Sequence, residues 1–321
     1  MQVSREAKQT EAEPLPVVRI GEIPSEPDSQ RWLVEELWGE SSVGVIGGAP
    51  KCAKTWLGLD MALSVATGTP CLGRYAIPRA GPALVYLAED ALPLVRERVA
   101  GMALHRGLDL DTVELYAIAA VTLRLDRDPH RTRLFETARR LRPRLLLLDP
   151  LVRLHGIDEN HATEVAELLA YFRSLQRRLD LSVVLVHHTR KNAPGGAGQG
   201  LRGSGDIHAF GDSNLYLRRS GPRLMLSSEH RAAPASPPVS LELVATKAAM
   251  THLEVVAEQH DDGRQGLQEQ VLALLGKRGT LTRGKLRDAL AVKNERLGEA
   301  LDSLERAGRV RRTPAGWQHL D

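Results

Sequence analysis

Residues 43–55 read VGVIGGAPKCAKT, and the helical pattern TWLGLDMALSVATG continues from Thr55 to Gly68. Val43–Ile46 is a short apolar run of the kind that forms a buried strand. The next residues nearly match the phosphate-loop pattern G-x-x-x-x-G-K-[ST]: Gly48, four residues, then Ala53, Lys54 and Thr55. Strand, loop and helix stand in the order that such a loop requires. Backbone N–H groups then converge at a helix N-terminus, where the dipole favours an anion. The departure is Ala53, an alanine where the pattern has its second glycine. Its extra methyl is expected to be compatible with a helical start and to weaken nucleotide binding rather than abolish it. The loop Gly48, Ala49, Pro50, Lys51, Cys52, Ala53, Lys54, Thr55, with Trp56, is the candidate nucleotide site. The competing reading is a glycine-rich turn with an incidental Lys-Thr pair.

Outward from the loop, apolar runs alternate with amphipathic ones. GPALVYLAED, TVELYAI, PRLLLLDPL and LSVVLVHHT read as strands. LPLVRERVAGMAL, RTRLFETARRLR and ATEVAELLAYFRSLQRRLD read as helices. Strands that are apolar throughout, separated by helices, predict an α/β fold with a mostly parallel sheet covered on both faces. SNLYLRRS, RLMLSSEH and VSLELVAT are shorter alternating strands, which suit an antiparallel extension at one edge. Residues 191–206 hold six glycines in sixteen positions and show no periodicity, the composition of a functional loop.

These patterns divide the chain into a polar arm at 1–30, an ATPase-type domain at 31–258, a linker at 259–266 and a small domain at 267–321. The last reads as three helices and a hairpin, the winged-helix pattern. From residue 265 onward there are eleven Lys/Arg against seven Asp/Glu, an excess of four. The basic residues gather in the second helix and the wing (Arg283, Lys285, Arg287, Arg309, Arg311, Arg312), whereas the third helix is mixed. DNA binding and protein docking both remain open for this unit.

The chain has 321 residues, a net charge of +3 and 42% hydrophobic residues, enough for a substantial core. Its longest apolar runs are too short for a membrane span, and its start lacks a signal-peptide core, so a cytoplasmic protein is expected. Two cysteines, Cys52 and Cys71, are too few for a disulfide framework and read as reduced thiols.

Charged groups fall where parallel strands end. Lys54 is placed to reach β- and γ-phosphates, and the Thr55 hydroxyl to hold Mg²⁺. Asp149, after four leucines, is the second Mg²⁺ candidate; a capping role before Pro150 is the alternative. Glu89 is the candidate general base for ATP hydrolysis, with Asp90 expected to cap the following helix. His187 and His188 end another strand, where alternation lets only one face the site. Arg190, Lys191 and Arg202 lie in the glycine-rich loop and are candidates for contact with a nucleic-acid backbone.

Together these segments resemble the RepA-like branch of the RecA-fold ATPases, relatives of hexameric plasmid and replicative helicases. PKCAKTWLGLDMALSVATG, YLAED, LLLLDP, VHHTRK and LRGSGDIHAFGDSNLYL carry the resemblance in the same order, over two thirds of the chain. It implies Walker A roles for Lys54 and Thr55, water activation by Glu89, the Walker B role for Asp149 and γ-phosphate sensing by His188. Arg98, Arg202 and Arg218, or Arg219 beside it, become candidate arginine fingers. It further implies ATP and Mg²⁺ as ligands, a homo-oligomer (a hexameric ring in this family) and single-stranded DNA as partner, with duplex DNA a candidate for the winged helix.

Overall fold

The alternation of apolar and amphipathic segments is realised as a layered α/β structure. The computed structural model describes residues 15–23, 31–159, 161–188, 205–221, 223–246, 250–256 and 262–320. A short hairpin, β1 (Trp32–Val34) and β2 (Trp38–Gly39), forms from RWLVEELW and precedes the loop strand β3 (Val43–Gly48). Then come α1 (Lys54–Thr67), β4 (Ala83–Leu87), α2 (Leu92–His105), β5 (Leu115–Ala117), α3 (Asp128–Leu141) and β6 (Leu145–Asp149). The domain continues through α4 (Ala162–Leu179), β7 (Ser182–His188), α5 (Gly205–Phe210) and β8 (Ser213–Ser220). Three antiparallel strands end it: β9 (Arg223–His230), β10 (Val239–Ala245) and β11 (Thr251–Val256).

Among the described residues the main sheet runs β11-β10-β9-β8-β3-β7-β6-β4-β5. From β8 to β5 every neighbouring pair is parallel, and β8 to β11 pair antiparallel. This is the mostly parallel sheet with an antiparallel extension expected from sequence. Alternation divides the core into two layers. Ile46, Val85, Leu147 and Val184 point toward α1 and α2, whereas Val45, Leu84, Leu148 and Val183 point toward α3 and α4. Helix α4 presents Val165, Leu168, Leu169, Phe172 and Leu175, a single helical stripe, to the second layer.

Two glycines of β3 are dictated by β8. A Cβ on Gly44 would lie 1.7 Å from the Ser213 carbonyl oxygen, and one on Gly48 would lie 2.5 Å from that of Leu217. The close approach of β8 therefore admits no side chain at either position.

The last segment holds α6 (Asp262–Arg278), α7 (Arg283–Leu290), α8 (Asn294–Arg306) and the hairpin β12 (Val310–Thr313) with β13 (Gly316–His319). It has a core of its own, including Val271, Leu275, Leu286, Leu301, Val310 and Trp317. Helix α6 begins at Asp262, so the second half of the expected linker 259–266 is helical. Within 15–23, Leu15, Val17, Val18, Ile20 and Ile23 are exposed. No described helix is long and apolar enough to cross a membrane.

Candidate active site

Ligands of open parallel sheets bind beyond the C-terminal ends of the strands. Here β3, β4, β6 and β7 direct their C-terminal ends at one cavity of about 530 Å³. Lys51 to Trp56, Glu89, Asp90, Arg98, Asp149 and His188 all line it.

Lys54 opens α1 and is 5% exposed. Its Nζ donates to the carbonyls of Gly48 (2.9 Å) and Ala49 (2.8 Å) and lies 3.2 Å from His188 Nδ1. Burial holds its pKa below the usual lysine value, against the raising effect of Cys52, Asp149 and Glu89. Thr55 Oγ1 donates to Asp149 Oδ2 at 2.6 Å. Asp149 is buried, and that burial pushes its pKa up to about 6; the Thr55 hydrogen bond and the Lys54 charge pull the other way. A hydroxyl and a carboxylate side by side are the hard oxygen donors that suit Mg²⁺. The donor set therefore fits a hydrated Mg²⁺ between Thr55 and Asp149.

The loop's backbone corrects one expectation. Ala53 has φ 59° and ψ 26°, the left-handed region, not a helical start. Lys51, with φ 63°, is left-handed too. Such conformations turn successive N–H groups into one concavity, which is how a loop cradles an anion. The second glycine of the pattern thus has a conformational reason beyond the space its Cβ would occupy. An L-residue in this region costs about 1–2 kcal/mol. Ala53→Gly is expected to stabilise the protein by about 1 kcal/mol, raising Tm by about 2–4 °C. It should also tighten nucleotide binding. Thermal melts and titration with a fluorescent ATP analogue test both; a lower Tm with weaker binding would refute the strain argument.

Glu89 lies in the loop after β4, where its Oε1 accepts from Arg153 Nε at 2.7 Å. Both side chains are about half exposed, so this ion pair is weak and can open. Asp90 does not cap α2: the N-cap is Ala91, with no side-chain bond. Asp90 instead takes a two-pronged contact from Arg98, at 2.5 and 3.2 Å. The Arg98 guanidinium also sits 5.4 Å from the Trp56 ring centre. Its charge is engaged inside its own chain, which counts against a finger reaching a neighbour. Arg218 is exposed on β8. The adjacent Arg219 lines the cavity and donates to the Lys51 carbonyl at 3.2 Å.

Of the two histidines, His188 faces the cavity and His187 is 1% exposed, 3.8 Å from Glu159. Cys52 is buried in the core, which favours a small filler over a reactive thiol. Arg190, Lys191 and Arg202 lie outside the described residues. Sequence reasoning missed Arg153 and the wall that β9 and β10 contribute through Leu224, Glu242 and Leu243. No local pattern marks them, because tertiary folding alone brings them to the loop.

The sheet order, with β7 between the loop strand β3 and the aspartate strand β6, and the loop at the end of β3 define a RecA-like P-loop NTPase fold. Solved structures agree. A DnaB-like replicative helicase superposes with a TM-score of 0.52 at 13% identity, over 68% of this chain and 58% of the helicase. The RadB recombinase gives 0.50 at 14% identity, over 68% of this chain and 92% of that one. A further solved ATPase domain gives 0.52 at 14% identity, over 68% and 86%. The chain belongs to the AAA domain family, whose profile matches residues 8–194. No curated protein matches it.

Proposed function

We propose that this chain is a Mg²⁺-dependent ATPase that works on DNA as an oligomer, of the RepA-like helicase or replication and recombination accessory type. The observation that carries the reading is the convergence of Lys54, the Thr55–Asp149 pair, Glu89 and His188 on one cavity at the strand ends. The helicase and recombinase folds it resembles support the association with DNA; they do so by fold alone.

Each group has a task that its placement suits. The Lys54 ammonium, held by two loop carbonyls, turns to the β- and γ-phosphates as the loop N–H groups take the anion. Thr55 and Asp149 hold Mg²⁺, which when bound neutralises phosphate charge. Glu89, released from Arg153, orients the attacking water and takes its proton. His188, in contact with Lys54, reports the γ-phosphate to the glycine-rich loop after it, with Arg190, Lys191 and Arg202 as its DNA-facing cations. Arg218, exposed on β8, is the better candidate to serve a neighbouring subunit's site, in a ring for which six subunits is the family expectation. The unit at 267–321 acts as a winged helix that adds a DNA or partner contact.

The test is phosphate release with and without single-stranded DNA, using Lys54→Ala as the blank. Mg²⁺-dependent hydrolysis that rises severalfold with DNA and vanishes in the blank is expected. Folded, assembled protein without hydrolysis above the blank overturns the reading. The strained Ala53 favours a second one, a DNA-binding regulator built on a catalytically impaired ATPase scaffold. That alternative requires sequence-specific duplex binding by the chain without turnover, whereas the motor reading requires salt-dependent, sequence-independent binding to single strands.

A further inference from the structure

Outside the nucleotide cavity, one strand beyond the Glu242 and Leu243 that line it, three ligand-type side chains meet where the C-terminal end of α2 packs on edge strand β11. They are His105, the last residue of α2, with His252 and Glu254 on β11. One donor atom from each lies within 4.8 Å of the other two. The two imidazoles stack at 3.5 Å between ring centres, with 16° between their planes. His252 Nε2 is 2.9 Å from Glu254 Oε1. His252 is 4% exposed, and its Nδ1 is buried with no hydrogen-bond partner. His105 and Glu254 are exposed.

From this geometry we propose a divalent transition-metal site formed by His105, His252 and Glu254. Two imidazoles and a carboxylate are a nitrogen-rich set that suits Zn²⁺, Co²⁺ or Ni²⁺ and disfavours Mg²⁺. Tetrahedral Zn²⁺ at about 2.0–2.1 Å from its ligands brings donor atoms to about 3.3 Å of one another. Stacked rings aim their nitrogen lone pairs along nearly parallel planes, so closing on one ion requires the exposed His105 ring to turn out of the stack, with the exposed Glu254 carboxylate following it. A burial-locked histidine with two exposed partners also leaves coordination positions open to water.

The consequence is structural. A bound ion fastens the end of α2 to β11, beside β10, which supplies Glu242 and Leu243 to the nucleotide cavity. Helix α2 itself starts beside Glu89 and Asp90 and carries Arg98. The site thus joins α2, whose Arg98 lines the cavity, to β11, the strand next to the cavity-lining β10, without sharing any cavity residue.

The full chain, stripped with a chelator and kept in excess Mg²⁺, is titrated with Zn²⁺ by calorimetry and with Co²⁺ by visible absorption. A single saturable equivalent per chain is expected, with a Tm that rises with metal concentration. His105→Ala and Glu254→Gln, both at exposed positions and therefore compatible with folding, are each expected to weaken binding about tenfold or more. They should also abolish the Tm rise. Absence of a saturable equivalent, or unchanged binding in both variants, overturns the site. Lys54→Ala should bind the metal normally, which separates this result from the fate of the ATPase reading.

Discussion

Glu89→Gln is expected to bind ATP as tightly as the parent, within about threefold, and to turn it over roughly 10²–10⁴-fold more slowly, the usual contribution of a positioned general base. The substitution preserves side-chain length and leaves an amide oxygen to accept from Arg153, whose Nε now lies 2.7 Å from Oε1. What it removes is the negative charge and the proton acceptor. Loop, Lys54 and the Thr55–Asp149 pair are untouched, so affinity should survive. Nucleotide binding by fluorescence alongside single-turnover phosphate release separates the two effects. Parental turnover would take Glu89 out of the chemistry. Joint loss of binding and turnover would make it a structural partner of Arg153.

Asp149→Asn should move stability and activity in opposite directions. In metal-free protein the buried Asp149 carboxyl has its pKa raised from 3.8 to about 6, chiefly by burial. Between those values the folded chain binds the proton more firmly than the unfolded chain. The stabilisation this provides is complete below about pH 4 and is lost as pH rises through about 6. At pH 7.5 the parent therefore carries an ionised carboxylate in a place that disfavours charge. Asparagine does not ionise, so the variant should be more stable than the parent by about 2 kcal/mol at pH 7.5, with the difference shrinking toward pH 4. Mg²⁺-supported hydrolysis should fall at least 10²-fold, because the carboxylate proposed to hold the ion is gone. Denaturant melts at the two pH values in chelator test the first half and steady-state kinetics the second. A variant less stable than the parent at pH 7.5, or one that hydrolyses normally, would refute the corresponding half.

The parts of this fold that are legible in sequence are those set by local chemistry. Four leucines before Asp149 can form only a buried strand end, and the run from Val43 into Gly48 announces the loop. The α4 stripe from Val165 to Leu175 is readable by its spacing alone. The edge strand Thr251–Val256 carries a fainter mark, a short alternation of Leu253 and Val255 with His252 and Glu254 that becomes a strand through its pairing with β10. Ala53 misleads since alanine favours helices, and only the closed geometry of the loop forces it left-handed. Asp90 fits a capping pattern locally, but Arg98, two helical turns on, offers a stronger partner. Arg153 and Arg219 reach the site through tertiary packing, which no short pattern records.

The seam between β3 and β8 has a mechanical meaning. Gly44 and Gly48 let two backbones run side by side with carbonyl oxygens where side chains would stand. Gly48 is also the first residue of the phosphate loop, and Arg219 at the far end of β8 grips the Lys51 carbonyl. A load applied at the outer strand β11 is therefore carried through β10, β9 and β8 onto the loop at two points. The antiparallel flange is thus moored to the candidate phosphate loop at both Gly48 and Lys51, so the loop and the flange must shift together.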